Sequence, residues 1–303
     1  MRDVRLQKPG ETRKIPCLSD PGRLAKLVNE VYWLALRMLW HPADAERATQ
    51  TILSSTFDDL AARPDDAPLR ARVLRNAVKY LLNAQPSPFE RQGWTFDSLA
   101  DDLRRGADEP LPGSLPSSQR HALVQELQIG CTQAMLLCLD REQRISYLLG
   151  EVSSLNEEAA GYILDVSPHV FCEKLQRARD RVASFMHGHC GLLNPDRPCR
   201  CSQRLGRALQ TGRVDRRQLL FVLPVLPASS ADAERPRANP SLVFRDQQLR
   251  PAPPVILDQI RARLTGATPG SFARRSHHRH RGGRSSSTRA LSLSFTPRTK
   301  TRR

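Results

Sequence analysis

The stretch LNEEAAGYILDVSPHVFCEKLQRARDR, Leu155 to Arg181, reads as two short helices with a tight corner between them. Leu155, Ala159, Ile163 and Leu164 recur at helical spacing and give the first helix one apolar face. Asp165 and Val166 make the corner. Ser167 stands at an N-cap position, and Pro168 follows at the first helical position, where a missing N–H costs nothing. Phe171, Leu175, Ala178 and Val182 form the apolar stripe of the second helix, while Lys174, Arg177, Arg179 and Arg181 lie on its other side. Two readings fit this pattern: a helix-turn-helix whose second helix enters a DNA major groove, or a helical hairpin with a solvated basic face.

Working outward, the same periodicity predicts helices elsewhere. Leu24, Leu27, Val28, Val31, Leu34, Ala35 and Met38 make an i, i+3, i+4, i+7 series, so residues 22–40 should be helical. His41-Pro42 ends that helix, because the residue before proline is pushed out of the helical region. Helices over 43–62 and 68–83 would complete a first small bundle. Residues 85–118 are polar and Pro-rich and suit a linker, with a short helix at 96–103. A second bundle begins near Gln119, where Leu123, Leu127, Cys131, Met135 and Cys138 keep one stripe, and runs to about Met186. Further helices are expected at 203–222 and 253–265. Strand-period alternation and internal repeats are absent from the sequence. The expectation is an all-α chain: two small helical bundles on a Pro-rich linker, the second holding the helix-turn-helix, and a disordered basic C-terminal tail.

Composition narrows the partners. The 303 residues carry a formal net charge of +16, which favours polyanions, nucleic acid first and acidic membrane surface second. The excess is uneven: Ser271 to Arg303 holds nine Arg, one Lys and no acidic residue, and such a segment cannot bury a core. No apolar run is long enough to span a bilayer, and MRDVRLQKPGETRK has no apolar core of a secretory signal. Seven cysteines without an export signal fit a reducing cytosol better than a disulfide framework. No Gly-rich phosphate loop, His-Glu metal motif or nucleophile elbow occurs, so neither an enzyme nor a cofactor is expected.

Residues 155–181 resemble the C-terminal DNA-binding region of bacterial RNA polymerase sigma factors of the extracytoplasmic-function group. Leu155, Glu158, Leu164, Ser167, Pro168, Leu175, Arg177, Ala178 and Arg179 carry the likeness. LALRMLWHPADAERATQTIL, Leu34 to Leu53, is similar to the core-polymerase-binding region of the same group. CTQAMLLCLDREQRISYLLGEV has the cast of its connecting segment, and CGLLNPDRPCRC is like a tail of one branch. The likeness covers roughly residues 20–205, in order. It implies a flexible 1–20, a first bundle at 21–84, a linker at 85–118, a helix-turn-helix domain at 119–187, a Cys-containing Pro-rich extension at 188–266 and a disordered tail at 267–303. It further implies a cytoplasmic protein that binds core RNA polymerase and promoter DNA, with an anti-sigma factor as a further partner. The alternatives are a diverged DNA-binding regulator that no longer supports initiation and a helical protein-interaction module.

The site residues follow from the resemblance. Duplex DNA would meet Ser167, His169, Val170, Cys172, Glu173 and Lys174 early in the second helix, where base edges are reached, and Arg177, Arg179 and Arg181 later, where phosphate is gripped. Cys172 and Glu173 replace residues that are basic or polar in the family. Polymerase would dock on Asp44, Glu46 and Gln50, yet Arg47 and Thr51 stand where carboxylates are usual, and a like-charge contact weakens such an interface. The melted strand would meet Arg70, Arg72, Arg75 and Lys79. Arg72 and Arg63 occupy positions where the family carries aromatics, so the cations of a single-strand site are kept and its stacking platform is lost.

The cysteine-rich tail has a soft-ligand content: Cys190, Cys199 and Cys201 with His187 or His189 just before. Zinc takes four such ligands, but paired Cys-X2-Cys knuckles are missing, and no metal is expected. Cys131 and Cys138 are read as core.

Overall fold

The computed structural model describes residues 20–62, 67–105, 110–111, 113–223 and 235–265. Residues 1–19, Arg63 and the tail expected at 267–303 lie outside the described residues. The fold is all-α: apart from one isolated parallel β-bridge between Cys190 and Cys199, the regular structure described is helical. No described helix is long and apolar enough to cross a membrane.

In chain order the helices are α1 Pro21–Leu39, α2 Pro42–Ala62, α3 Leu69–Asn83, α4 Phe96–Arg104, α5 Ser117–Leu137, α6 Arg141–Tyr147, α7 Glu157–Leu164, α8 Pro168–His189, α9 Leu205–Gln210, α10 Pro240–Arg245 and α11 Pro254–Thr265. A π-helical turn, Leu148–Val152, continues α6. The chain divides into two compact units, each assembled from separated segments: 20–91 with 141–176 and 251–265, and 92–140 with 177–250. These do not coincide with the boundaries expected at 84, 118 and 187.

The first unit is built on α1. Asp20 caps it by accepting the Gly22 N–H at 2.8 Å, and the predicted stripe from Leu24 to Met38 is buried throughout. Trp40, at a positive φ of 74°, ends the helix and stacks on Phe89 with ring centroids 4.9 Å apart. The helices α1, α2 and α3 pack on one another, α7 packs on α3, and α11 packs on α1 and α2. Burial of Ile256 and Ile260 seats α11, and each such side chain contributes about 1.5–3 kcal/mol of apolar transfer.

In the second unit α5 packs against α4, α9 and α10. Leu123 and Val124 of α5 share a core with Leu205, Ala208 and Val214. Thr95 and Ser98 form a reciprocal capping box on α4. The C-terminal carbonyls of α4 accept from Arg204, at 2.5 Å for Leu103 and 3.0 Å for Asp102, while Arg213 pairs with the Asp102 carboxylate. Residues expected to link or extend the bundles are thus core: Leu99 and Ala100 of α4, then Phe221, Val222, Val243 and Phe244 are buried.

Two expectations need correction. Leu155 precedes α7 rather than lying in it, because Asn156 caps the helix by accepting the Ala159 N–H at 2.9 Å. Of residues 203–222 only Leu205–Gln210 is helical. The chain beyond is held by Glu126, a buried carboxylate that accepts the N–H groups of Leu220, Phe221 and Val222 at 2.7–3.2 Å.

Candidate nucleic-acid interface

Helices α7 and α8 meet at a corner made by Asp165, which sits at φ 60°, ψ 42° in the left-handed region that Asp tolerates better than most residues. The Val166 N–H closes onto the Gly161 carbonyl at 3.0 Å. A Cβ on Gly161 would lie 3.0 Å from the Val166 carbonyl oxygen and 3.2 Å from the Pro168 nitrogen, so the corner is as tight as it is because residue 161 has no side chain. Ser167 accepts the Val170 N–H at 3.3 Å and caps α8. Phe171 and Leu175 are buried.

Ser167, His169 and Glu173 are exposed, while Val170, Cys172 and Lys174 are half-buried. His169 and Glu173 approach to 3.5 Å one turn apart. The Cys172 thiol donates to Glu157 at 3.2 Å, and Lys174 pairs with Glu142 at 2.5 Å. Of the cations expected on this helix face, Lys174 is therefore already matched by a carboxylate of α6. Farther along α8, in the segment belonging to the second unit, Arg177 and Arg179 are exposed. Arg181 donates to the Cys138 carbonyl at 3.0 Å and lies 5.4 Å over the Phe96 ring.

The α3 cations are also engaged within the first unit. Arg70 makes a two-pronged bond to Glu30 at 2.9 and 2.5 Å, and that bond raises its pKa although burial opposes the shift. Arg75 donates to the Tyr162 carbonyl at 2.7 Å and to Asp165 at 2.6 Å, with its guanidinium 4.8 Å over the Tyr162 ring. The fold thus brings Arg75 of α3 onto the α7–α8 corner, at a helix C-terminus where a cation is favoured. Arg72 is half-buried and Lys79 exposed.

On α2, Asp44 and Glu46 are half-buried. Arg47, expected to oppose a basic partner, pairs with Asp44 three residues before it. Gln50 accepts company from α11: its amide donates to Gln259 at 2.9 Å, and Arg263 grips Asp58 at 2.8 and 2.6 Å.

Sequence reasoning missed the charged joint of the first unit. Arg141 chelates Glu90 at 2.8 and 2.7 Å and donates to the Leu82 and Ala84 carbonyls at 3.0 and 2.5 Å, closing the end of α3. Arg144, buried, reaches the same carboxylate at 3.3 Å and the Met38 carbonyl at 3.2 Å. Burial pushes the Glu90 carboxyl up, but the Arg141 hydrogen bond and the charges of Arg144 and Arg141 outweigh it and hold it below the usual range. Arg37 is also buried, which pushes its pKa down to about 10 against a raising influence of Tyr147. The signal in the sequence was only the pair Arg141 and Arg144 in a short polar run, Asp140 to Arg144, between apolar stretches.

Cys190, Cys199 and Cys201 are half-buried and not in disulfides, and His187 is exposed. Among the described residues no group of three or more His, Cys, Asp or Glu is disposed to hold a metal ion. No family model, curated protein or solved structure matches the chain.

Proposed function

We propose that the chain is a sigma-factor-like transcription protein in which α7 and α8 act as a helix-turn-helix on duplex DNA. The observation that carries this reading is the corner itself: a left-handed Asp165, a Gly161 without which the turn could not close, and a Ser167-Pro168 start that leaves the first exposed positions of α8 facing away from its buried stripe. In this reading α8 enters the major groove, Arg177 and Arg179 contact phosphate, and the two-bundle division of labour follows the resemblance. By that resemblance α2 would hold polymerase, α3 the melted strand and α8 the upstream element.

A second reading, a DNA-binding regulator that does not initiate, is favoured by a different observation. Gln50 of the expected polymerase surface is bonded to Gln259, and Arg75 of the expected strand surface is bonded to Asp165. One residue of each expected surface is thus bonded within the chain.

Run-off transcription with purified core polymerase on fragments of the source genome separates the readings. Specific transcripts support the sigma function, and salt-dependent duplex binding without transcripts supports the regulator. Absence of both removes the nucleic-acid reading.

A further inference from the structure

Where α8 ends, the chain turns back on itself with two cysteines face to face. Cys190 and Cys199 pair across the single parallel β-bridge, and the Gly191 N–H donates to the Cys199 carbonyl at 3.2 Å. Backbones joined this way run about 4.8 Å apart, inside the ~4.4–6.8 Å Cα separation that a disulfide accepts. The close approach is built in at Gly191: a Cβ there would lie 2.5 Å from the Cys199 carbonyl oxygen and 1.8 Å from the Arg200 guanidinium.

The segment between the cysteines is already ordered by its own bonds. The Cys190 carbonyl accepts from the N–H groups of Leu193 at 3.2 Å and Asn194 at 3.0 Å, and the Arg197 N–H closes onto Asn194 at 3.0 Å. Arg197 reaches back to the His187 carbonyl at 3.2 Å, and Arg200 to the Pro195 carbonyl at 2.8 Å. Closing a covalent link across this loop therefore demands little rearrangement. Neither cysteine is in a disulfide, and both residues are half-buried rather than sealed in the core.

We propose that Cys190 and Cys199 form a dithiol that a peroxide converts reversibly into a disulfide, clamping the end of α8 to the segment that leads into α9. One sulfur takes an oxygen atom from hydrogen peroxide, becoming a sulfenic acid as the first water leaves. The second thiol attacks that sulfur; the S–S bond forms, the S–O bond breaks, and the hydroxyl departs with the thiol's proton as a second water. Two thiols are oxidised and one peroxide is reduced. A dithiol reductant reverses the step. Cys131 of α5 is a third thiol in this neighbourhood, and burial, then the charges of Cys199 and Cys190, push its pKa far up. Burial also raises Cys190, against the N–H groups of Leu192 and Leu193 and the charge of Arg200. The geometry selects the pair, and the suppressed acidity of both Cys131 and Cys190 makes the oxidation slow rather than instantaneous.

The test uses the full chain, reduced, freed of reductant and treated with one equivalent of hydrogen peroxide. Thiol titration in denaturant is expected to fall from the chain's seven cysteines by two, and dithiothreitol is expected to restore them. Digestion before Asp196 separates the two cysteines, so non-reducing mass spectrometry should find their peptides joined. Cys190→Ser and Cys199→Ser should each abolish that product, and Cys131→Ser should leave it. A cross-link between any other pair, or unchanged thiols after peroxide, overturns the proposal. So does near-stoichiometric zinc in protein purified without chelator, because the sulfurs would then be metal ligands. A second cleavage after Arg200 puts Cys199 and Cys201 on separate peptides, so the wild-type peptide map decides the matter even if a variant fails to fold.

Discussion

Replacing Glu90 with Gln tests whether the charged joint holds the first unit together. In the wild type one carboxylate, 14% exposed, serves Arg141 and Arg144, whose side chains are 19% and 2% exposed. The amide keeps one acceptor oxygen and turns an NH2 toward guanidinium N–H groups, leaving donor against donor. Removing one partner of a buried pair costs about 3–5 kcal/mol. Arg141 retains its α3 carbonyls and some solvent, and Arg144 retains the Met38 carbonyl, so the lower end, about 3 kcal/mol, is expected. With a urea slope of about 2 kcal/mol per M, the midpoint should fall by about 1.5 M. Trp40, stacked on Phe89 beside Glu90, gives a fluorescence signal for this joint. The pH dependence has a fixed sign. The Glu90 carboxyl lies below its ordinary 4.5 in the folded state, so its stabilisation is present above that value and is lost as pH falls through the folded pKa. The gap between variant and wild type should therefore shrink on acidification. A variant within about 0.5 kcal/mol of wild type at pH 7, or a gap that widens in acid, refutes the reasoning.

Gly161→Ala should cost about 1–3 kcal/mol by overpacking the corner, seen as a lowered melting temperature and weakened duplex binding in gel shift. Arg177→Ala and Arg179→Ala should each flatten the salt dependence of DNA binding by about one log unit per log unit of salt; an unchanged slope would mean this face is merely solvated. Gln259→Ala combined with Arg263→Glu removes the two polar contacts of α11 with α2, to Gln50 and Asp58, each worth about 1 kcal/mol or less at the surface. Affinity for core polymerase, measured by surface plasmon resonance, should rise by about threefold if α2 is the docking surface.

How much was legible depended on whether an element buries its own stripe. α1 was readable because Leu24 to Met38 repeat with the helical period and every one is buried. α8 was readable because Ser167-Pro168 marks its start locally and Phe171, Leu175, Ala178 and Val182 mark its inner side. The part of the second unit beyond Cys190 was not, since it offers the core single residues from turns, Val214 and Phe221, and Phe244 from a helix of six residues, too short to show a period. Its organiser, Glu126, sits 94 residues before the Leu220 N–H it receives. Arg141 and Glu90 are likewise 51 residues apart, a distance over which no local pattern speaks. Cys131 was taken as core from its apolar helix, and nothing in that helix could announce its proximity to Cys190 and Cys199.

The position of α11 sets a schedule for synthesis. Its Ile256 and Ile260 fill a seat on α1 and α2, helices that leave the ribosome roughly 200 residues earlier, and at ~5–20 residues per second that delay is roughly 10–40 s. Throughout it, the nascent chain presents the apolar seat that Ile256 and Ile260 later fill. The seat on α1 and α2 is filled only once α11 has been made, so the growing polypeptide is a natural client for chaperones that shield hydrophobic surface during translation.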